Sequence, residues 1–222
     1  MSKAPYTELT CLELSDEELK AGKPSKETIQ KALLALHQDG MVVLLNAVSH
    51  DHLDKVKEVF WPDTDTVLSW GGGHFNQGGK TRNLSQVPPL RTDLVYQDIY
   101  ANPFATPIIA GYLGPKPELR FARSAVLLPG GDRQQIHADL EYPYPPQPFA
   151  VAVNMGFEDI TEENGATELM LGTHTMSSHD KHEDPDSAHI KPELVAEAMK
   201  THPTIRPPLP KGALAIRDLR MW

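Results

Sequence analysis

The pattern of apolar and polar positions divides the chain into a helical opening, a mixed middle and a β-type remainder. Ser15-Asp16-Glu17-Glu18 has capping-box spacing, which predicts a short helix starting there. Ser25 predicts the cap of a second helix, with Ile29, Leu33 and Leu36 at i, i+4 and i+7 on one face. Gly40 is the natural stop of that helix. Met41 to Leu45 then forms a short apolar run of β type. Ser49 opens a third helix whose Leu53, Val56 and Phe60 share a side, predicted to end before Pro62.

The middle is less regular. Gly71-Gly72-Gly73 and Gly78-Gly79 bracket a flexible loop carrying His74, Phe75 and Asn76, and Pro88-Pro89 leads into a predicted helix over 94–112. From Glu118 onward the pattern is β: Leu119 to Leu128, a Pro129-Gly130-Gly131 turn, then Phe149 to Phe157. Pro143, Pro145, Pro146 and Pro148 exclude a helix between those runs. The polar stretch from Ser177 to His189 reads as a surface loop, His182-Glu183-Asp184 included. Pro210-Lys211-Gly212 leads into a strand through Ile216, with Arg217 and Arg220 read as surface or seam positions. Trp70 reads as a buried anchor, and Tyr142 and Tyr144 as core packing. The short strands and 20 prolines favour a barrel or sandwich over the second two-thirds.

Composition narrows the class. A chain of 222 residues with 40% hydrophobic and 23% charged residues is predicted to fold as one ordinary globular domain. A net charge of −9 argues against nucleic acid, whose phosphates require a basic face. Cys11 is the single cysteine, so no internal disulfide forms, which agrees with a reducing compartment. No apolar run approaches the roughly 18 residues of a membrane span, and Met1 to Pro5 is not followed by a signal-peptide core. The expectation is a cytoplasmic protein with no membrane and no nucleic-acid partner. Its oligomeric state stays open, a dimer among the options.

The candidate chemistry sits in Gln134-Gln135-Ile136-His137-Ala138-Asp139. A His-x-Asp tripeptide is a weak signal by itself. Here it follows a strand and a glycine turn, and on an extended chain residues i and i+2 face the same side. An imidazole and a carboxylate side by side suit two ligands of the two-histidine, one-carboxylate triad that holds non-haem iron with open positions.

Several segments together resemble the phytanoyl-CoA dioxygenase family of Fe(II)/2-oxoglutarate oxygenases, from about Thr28 to Trp222. Ala35 to Leu44 resembles the family's opening helix and first strand, and Leu127 to Gly131 with Gln134 to Asp139 resembles its metal segment. Phe157 to Thr167 and Leu171-Gly172-Thr173-His174 resemble the loop and turn that follow, and Lys211 to Asp218 the strand leading to the distal histidine. Within the family the chain looks most similar to the fungal ergot-alkaloid dioxygenases. The resemblance implies a mainly β fold with flanking helices, a double-stranded β-helix (jelly roll) incomplete at its C-terminus. It divides the chain into an N-terminal extension (1–25), a helical and mixed part (26–117) and an incomplete jelly roll (118–222). It further implies His137 and Asp139 as iron ligands, Gln134 and Thr167 as polar contacts to 2-oxoglutarate, and an alkaloid-type small molecule as the substrate of intact relatives. His174 matches a turn in which the histidine is structural.

The chain departs from the family in one respect. The distal histidine directly follows the segment matched by Arg220-Met221-Trp222, and an arginine one strand later binds the far carboxylate of 2-oxoglutarate. Neither is present in these 222 residues. The resemblance therefore implies a truncated dioxygenase homologue, inactive as it stands. Two alternatives accompany this reading: an active oxygenase using another third ligand such as His174 or His202, and a non-enzymatic binding partner of an intact paralogue.

Overall fold

The computed structural model describes residues 6–71 and 73–222. Met1 to Pro5 and Gly72 of the glycine-rich loop lie outside the described residues. The chain falls into two compact units. One comprises Met1–Ala47, Pro103–Pro117 and Gln135–Trp222, the other Val48–Asn102 and Glu118–Gln134.

The first unit is built on a four-stranded mixed sheet. Its strands are β1 (Cys11–Glu13), β2 (Met41–Leu45), β6 (Val151–Asn154) and β7 (Leu214–Asp218), in the order β1-β2-β7-β6. β1 runs parallel to β2, while β7 is antiparallel to both of its neighbours. The central pair is buried on both faces, which is why Met41 to Leu44 and Leu214 to Ile216 read as unbroken apolar runs. Met41, Val43, Ala213 and Ala215 pack with Leu169, Leu171, Leu209 and Met221 on one side.

Helices α1 (Asp16–Ala21) and α2 (Lys26–Asp39) precede β2. The capping box at Ser15 forms: its hydroxyl accepts from the Glu18 amide, and the Glu18 carboxylate accepts from the Ser15 amide at 2.8 Å. Glu18 also accepts from the Ser25 amide at 2.7 Å and the Thr28 hydroxyl at 2.6 Å, so one buried carboxylate ties the starts of both helices. Burial alone would raise its pKa, but these hydrogen bonds outweigh it and lower the value from 4.5 to about 2. Because the folded value lies below the unfolded one, the stabilisation is complete above pH 4.5 and fades as pH falls towards 2. Glu18→Ala is expected to lose about 1 kcal/mol at neutral pH and to flatten the acid limb of Tm against pH. An unchanged acid limb in the variant counts against that role.

Gly40 ends α2 in the left-handed conformation, φ +78°, as the pattern predicted. Its carbonyl accepts from the Asp218 amide at 2.8 Å, so the helix stop is fastened to β7. α5 (Ala105–Leu113) lies against α2 and β7. Leu33 packs over Gly111 of α5, where an added Cβ would meet it at 3.1 Å. α6 (Pro192–Ala198) follows the polar loop.

The second unit holds α3 (His50–Ser69), α4 (Gln97–Tyr100) and a three-stranded antiparallel sheet, β3 (His74–Phe75), β4 (Asn83–Gln86) and β5 (Ser124–Leu127). α3 does not stop before Pro62. Leu53, Val56, Phe60 and Thr64 form one buried stripe across that point, while Pro62 faces solvent. Burying Phe60 and Thr64 on the same face outweighs the single hydrogen bond that proline removes. Thr64 adds a tie to the sheet, its hydroxyl sharing a 2.8 Å hydrogen bond with the Gln86 side-chain oxygen. The predicted 94–112 helix is two helices, because Pro103 disfavours helical backbone at Asn102. Trp70, at the end of α3, is 76% exposed and no buried anchor. Among the described residues, no helix is long and apolar enough to cross a membrane.

Candidate metal site and its comparisons

Residues 136–138 pair with 188–190 in the first unit. Ala138 N–H donates to the Ala188 carbonyl and Ile190 N–H to the Ile136 carbonyl, both at 3.1 Å, around an antiparallel bridge between His137 and His189. Alternation along this segment sends Ile136, Ala138 and Ile190 into an apolar cluster with Met170, Ala198 and Trp222. His137 and Asp139 take the other side, with Nε2 and Oδ1 3.4 Å apart. The His189 ring stands edge-on to His137, centroids 6.4 Å apart.

The ring of His137 is oriented by the backbone. Its Nδ1 lies 2.8 Å from the Gln135 carbonyl, which can only accept, so Nδ1 carries a proton, and Nε2 faces the Asp139 carboxylate, to which it donates only when the ring is charged. This second-sphere hydrogen bond is the usual device for preparing a metal-binding imidazole. Asp139 is differently committed: Oδ2 is paired with the Arg217 guanidinium on β7. Burial would raise the Asp139 pKa, but the Arg217 charge and the His137 hydrogen bond hold it well below the carboxylate range. Burial likewise opposes charge on His137, yet its hydrogen bond to Asp139 and that carboxylate's charge raise its pKa overall.

Iron in a facial triad needs three protein donors. Among the described residues, no group of three or more His, Cys, Asp or Glu side chains is placed to hold a metal ion. His174 is buried, with Nε2 3.3 Å from the His37 carbonyl and Nδ1 against Gly40. Burial pushes its pKa down. His202 stacks on Tyr6 at 4.3 Å between ring centroids. The residues therefore fit an iron site in the backbone-held Nδ1–H of His137 and miss it in the engagement of Asp139 and in the third donor. Of the predicted co-substrate contacts, Gln134 belongs to the other unit, where its amide donates to the Asn76 carbonyl at 3.4 Å. Thr167 is exposed after a 3-10 turn.

Two arginines read as surface or seam positions are drawn inward, Arg217 partly and Arg220 fully. Arg217 retains 14% of its side-chain exposure, and Arg220 is 3% exposed. Arg220 grips the fully buried Asp218 through Nε and Nη2 at 2.9 and 2.7 Å, and its Nη1 donates to the Pro146 carbonyl. The available signal was charge inside an apolar strand, which requires a partner. His182 is also buried and not in a surface loop. Its Nε2 lies 3.1 Å from the Tyr144 hydroxyl, and Tyr144 lies 2.8 Å from the Ser177 hydroxyl. A separate cavity of about 230 Å³ is lined by His37, Tyr112, His174 and Arg220 among others, and includes neither His137 nor Asp139.

With mixed sheets, flanking helices and a His-x-Asp pair on one face, the chain has the double-stranded β-helix fold. The sequence model of the family described as Phytanoyl-CoA dioxygenase (PhyH) matches residues 36–220, and the chain belongs to that family. A similar solved structure is the epimerase SnoN in complex with Fe3+, alpha ketoglutarate and nogalamycin RO. It is 14% identical, with 89% of this chain and 76% of that one covered, at a TM-score of 0.57. Another is the non-heme alpha ketoglutarate dependent carbocyclase SnoK from nogalamycin biosynthesis, 16% identical over 89% of this chain and 75% of that one, at 0.52. Iron and 2-oxoglutarate are the cofactors of the family.

Proposed function

We propose that this chain is an Fe(II)/2-oxoglutarate dioxygenase homologue of the fungal alkaloid type whose site, as these residues stand, does not turn over. His137 and Asp139 are its two iron donors; Gln134 and Thr167 are assigned to 2-oxoglutarate by the family resemblance alone. The observation that carries the reading is that, among the described residues, only two donors meet, one of them already salt-bridged to Arg217. The two arginines of the closing segment are both spent on carboxylates, Arg217 on Asp139 and Arg220 on Asp218. Neither is left to clamp the far carboxylate of 2-oxoglutarate, a task for a bidentate guanidinium. The order of Ala35 to Leu44, Gln134 to Asp139 and Lys211 to Asp218 carries the family likeness, and the further likeness to ergot-alkaloid enzymes suggests an alkaloid-type substrate for that group.

The test is succinate formation from 2-oxoglutarate with Fe(II), ascorbate and candidate alkaloids. The expected result is none above the protein-free background. Turnover that disappears in His137→Ala defeats the inactive reading, and its loss in His174→Ala or His202→Ala identifies the third ligand.

A further inference from the structure

We infer that Arg217 is a built-in competitor for the metal position, a guanidinium that holds Asp139 in place of a divalent cation. The inference rests on the reading of His137 and Asp139 as the metal donors and adds what stands against them.

Three observations carry it. Asp139 presents two oxygens, and both are engaged: Oδ1 lies 3.4 Å from His137 Nε2, and Oδ2 is paired with Arg217. Arg217 is positioned by the sheet and not by chance of a long side chain. It sits on β7 between β2 and β6, in register with Met41 and Ala152, and continues the face that carries Ala213 and Ala215. Its side chain is largely withdrawn from water. Finally, no third donor group among the described residues compensates a cation for displacing it.

The chemistry follows from charge. A planar guanidinium beside a carboxylate makes a charge-assisted hydrogen bond, here between a largely withdrawn Arg217 and an Asp139 that keeps 41% of its side-chain exposure. A divalent cation arriving at Asp139 has to break that bond and then stand next to a fixed positive charge. An arginine next to an aspartate changes the carboxylate's affinity for a proton by about 10- to 1000-fold, and another cation competing for the same oxygens meets the same opposition. Arg217 therefore favours the metal-free state, and neutralising it should open the site.

Cobalt(II) is the probe, read by its absorption spectrum and by titration calorimetry on the whole chain, with no dependence on turnover. Arg217→Met is expected to bind cobalt at least about tenfold more tightly than the unaltered chain, and Asp139→Asn in the same background is expected to abolish the gain. Arg217→Gln, neutral but able to hydrogen-bond Asp139, serves as a second variant if methionine perturbs the fold. Equal affinity in the unaltered chain and in folded neutral variants overturns the inference. If that shared binding is lost in His137→Ala, the ligand reading survives without it. A gain that persists after both Asp139→Asn and His137→Ala places the cobalt elsewhere and removes both readings. Loss of fold in both neutral variants makes Arg217 a scaffold residue and also overturns the inference.

Discussion

Replacing Asp218 with alanine is expected to destabilise the chain by about 3–5 kcal/mol, the cost of stranding one half of a buried ion pair. Asp218 is fully buried and collects four hydrogen bonds. They come from the Arg220 amide and Nε at 2.9 Å each, from its Nη2 at 2.7 Å, and from the Tyr112 hydroxyl at 2.7 Å. Its removal leaves Arg220 charged in the interior, held by the Pro146 carbonyl and the Tyr112 hydroxyl and with no carboxylate opposite it. Against a total stability of about 5–15 kcal/mol, that loss should move the urea midpoint far down or abolish the folded baseline. Asp218→Leu with Arg220→Met, which removes both charges, should cost much less than Asp218→Ala alone. A single-variant loss below about 1 kcal/mol would show that the pair is hydrated and energetically ordinary. The pH dependence has a definite sign. Burial opposes the charged form, but the Arg220 and Tyr112 hydrogen bonds depress the Asp218 pKa. Its contribution is thus present above the unfolded value near 3.8 and lost as pH falls through the depressed folded value.

Gly40→Ala is the second large effect, expected at about 2–4 kcal/mol from left-handed strain and overpacking together. At φ +78° an added Cβ would lie 2.6 Å from Nδ1 of the buried His174. The two contributions can be separated. His174→Ala in the same chain removes the collision and leaves only the backbone strain, so the double variant should lose less than the sum of the singles. Strict additivity in urea unfolding would mean that the imidazole moves aside freely. The comparison also tests whether His174 packs or ligates, since a packing residue needs no metal to show this coupling.

The parts of the fold that sequence made legible are those whose cause is local. The Ser15 capping box, the Ser25 cap, the Gly40 stop and the His137/Asp139 alternation each depend on a few neighbouring residues, and each stands where the pattern puts it. What stayed hidden depends on distant partners. α3 continues through Pro62 because Phe60 and Thr64 share a buried face, which the proline rule alone does not weigh. Strands predicted over 119–128 and 149–157 shrink to Ser124–Leu127 and Val151–Asn154, because only those residues find ladder partners. His182 and Arg217 look like surface chemistry in sequence and are drawn inward by Tyr144 and Asp139, partners 38 and 78 positions away. At the candidate site the pair was legible, and the arginine opposing it was not.

The buried run from Trp222 to Ser187 has a consequence of its own. The indole N–H of Trp222 points to the Ser177 hydroxyl at 2.9 Å, and His182 Nδ1 lies 2.6 Å from the Ser187 carbonyl. An indole nitrogen can only give a proton and an amide oxygen can only receive one. With the imidazole neutral, every intervening hydrogen is therefore assigned: Ser177 to Tyr144, Tyr144 to His182, His182 to Ser187. A row of hydroxyls conducts protons only if it can turn around between passages, and this one is pinned at both ends by groups that cannot reverse. It is a clasp and not a wire, and it joins Trp222 to the loop that ends in His189.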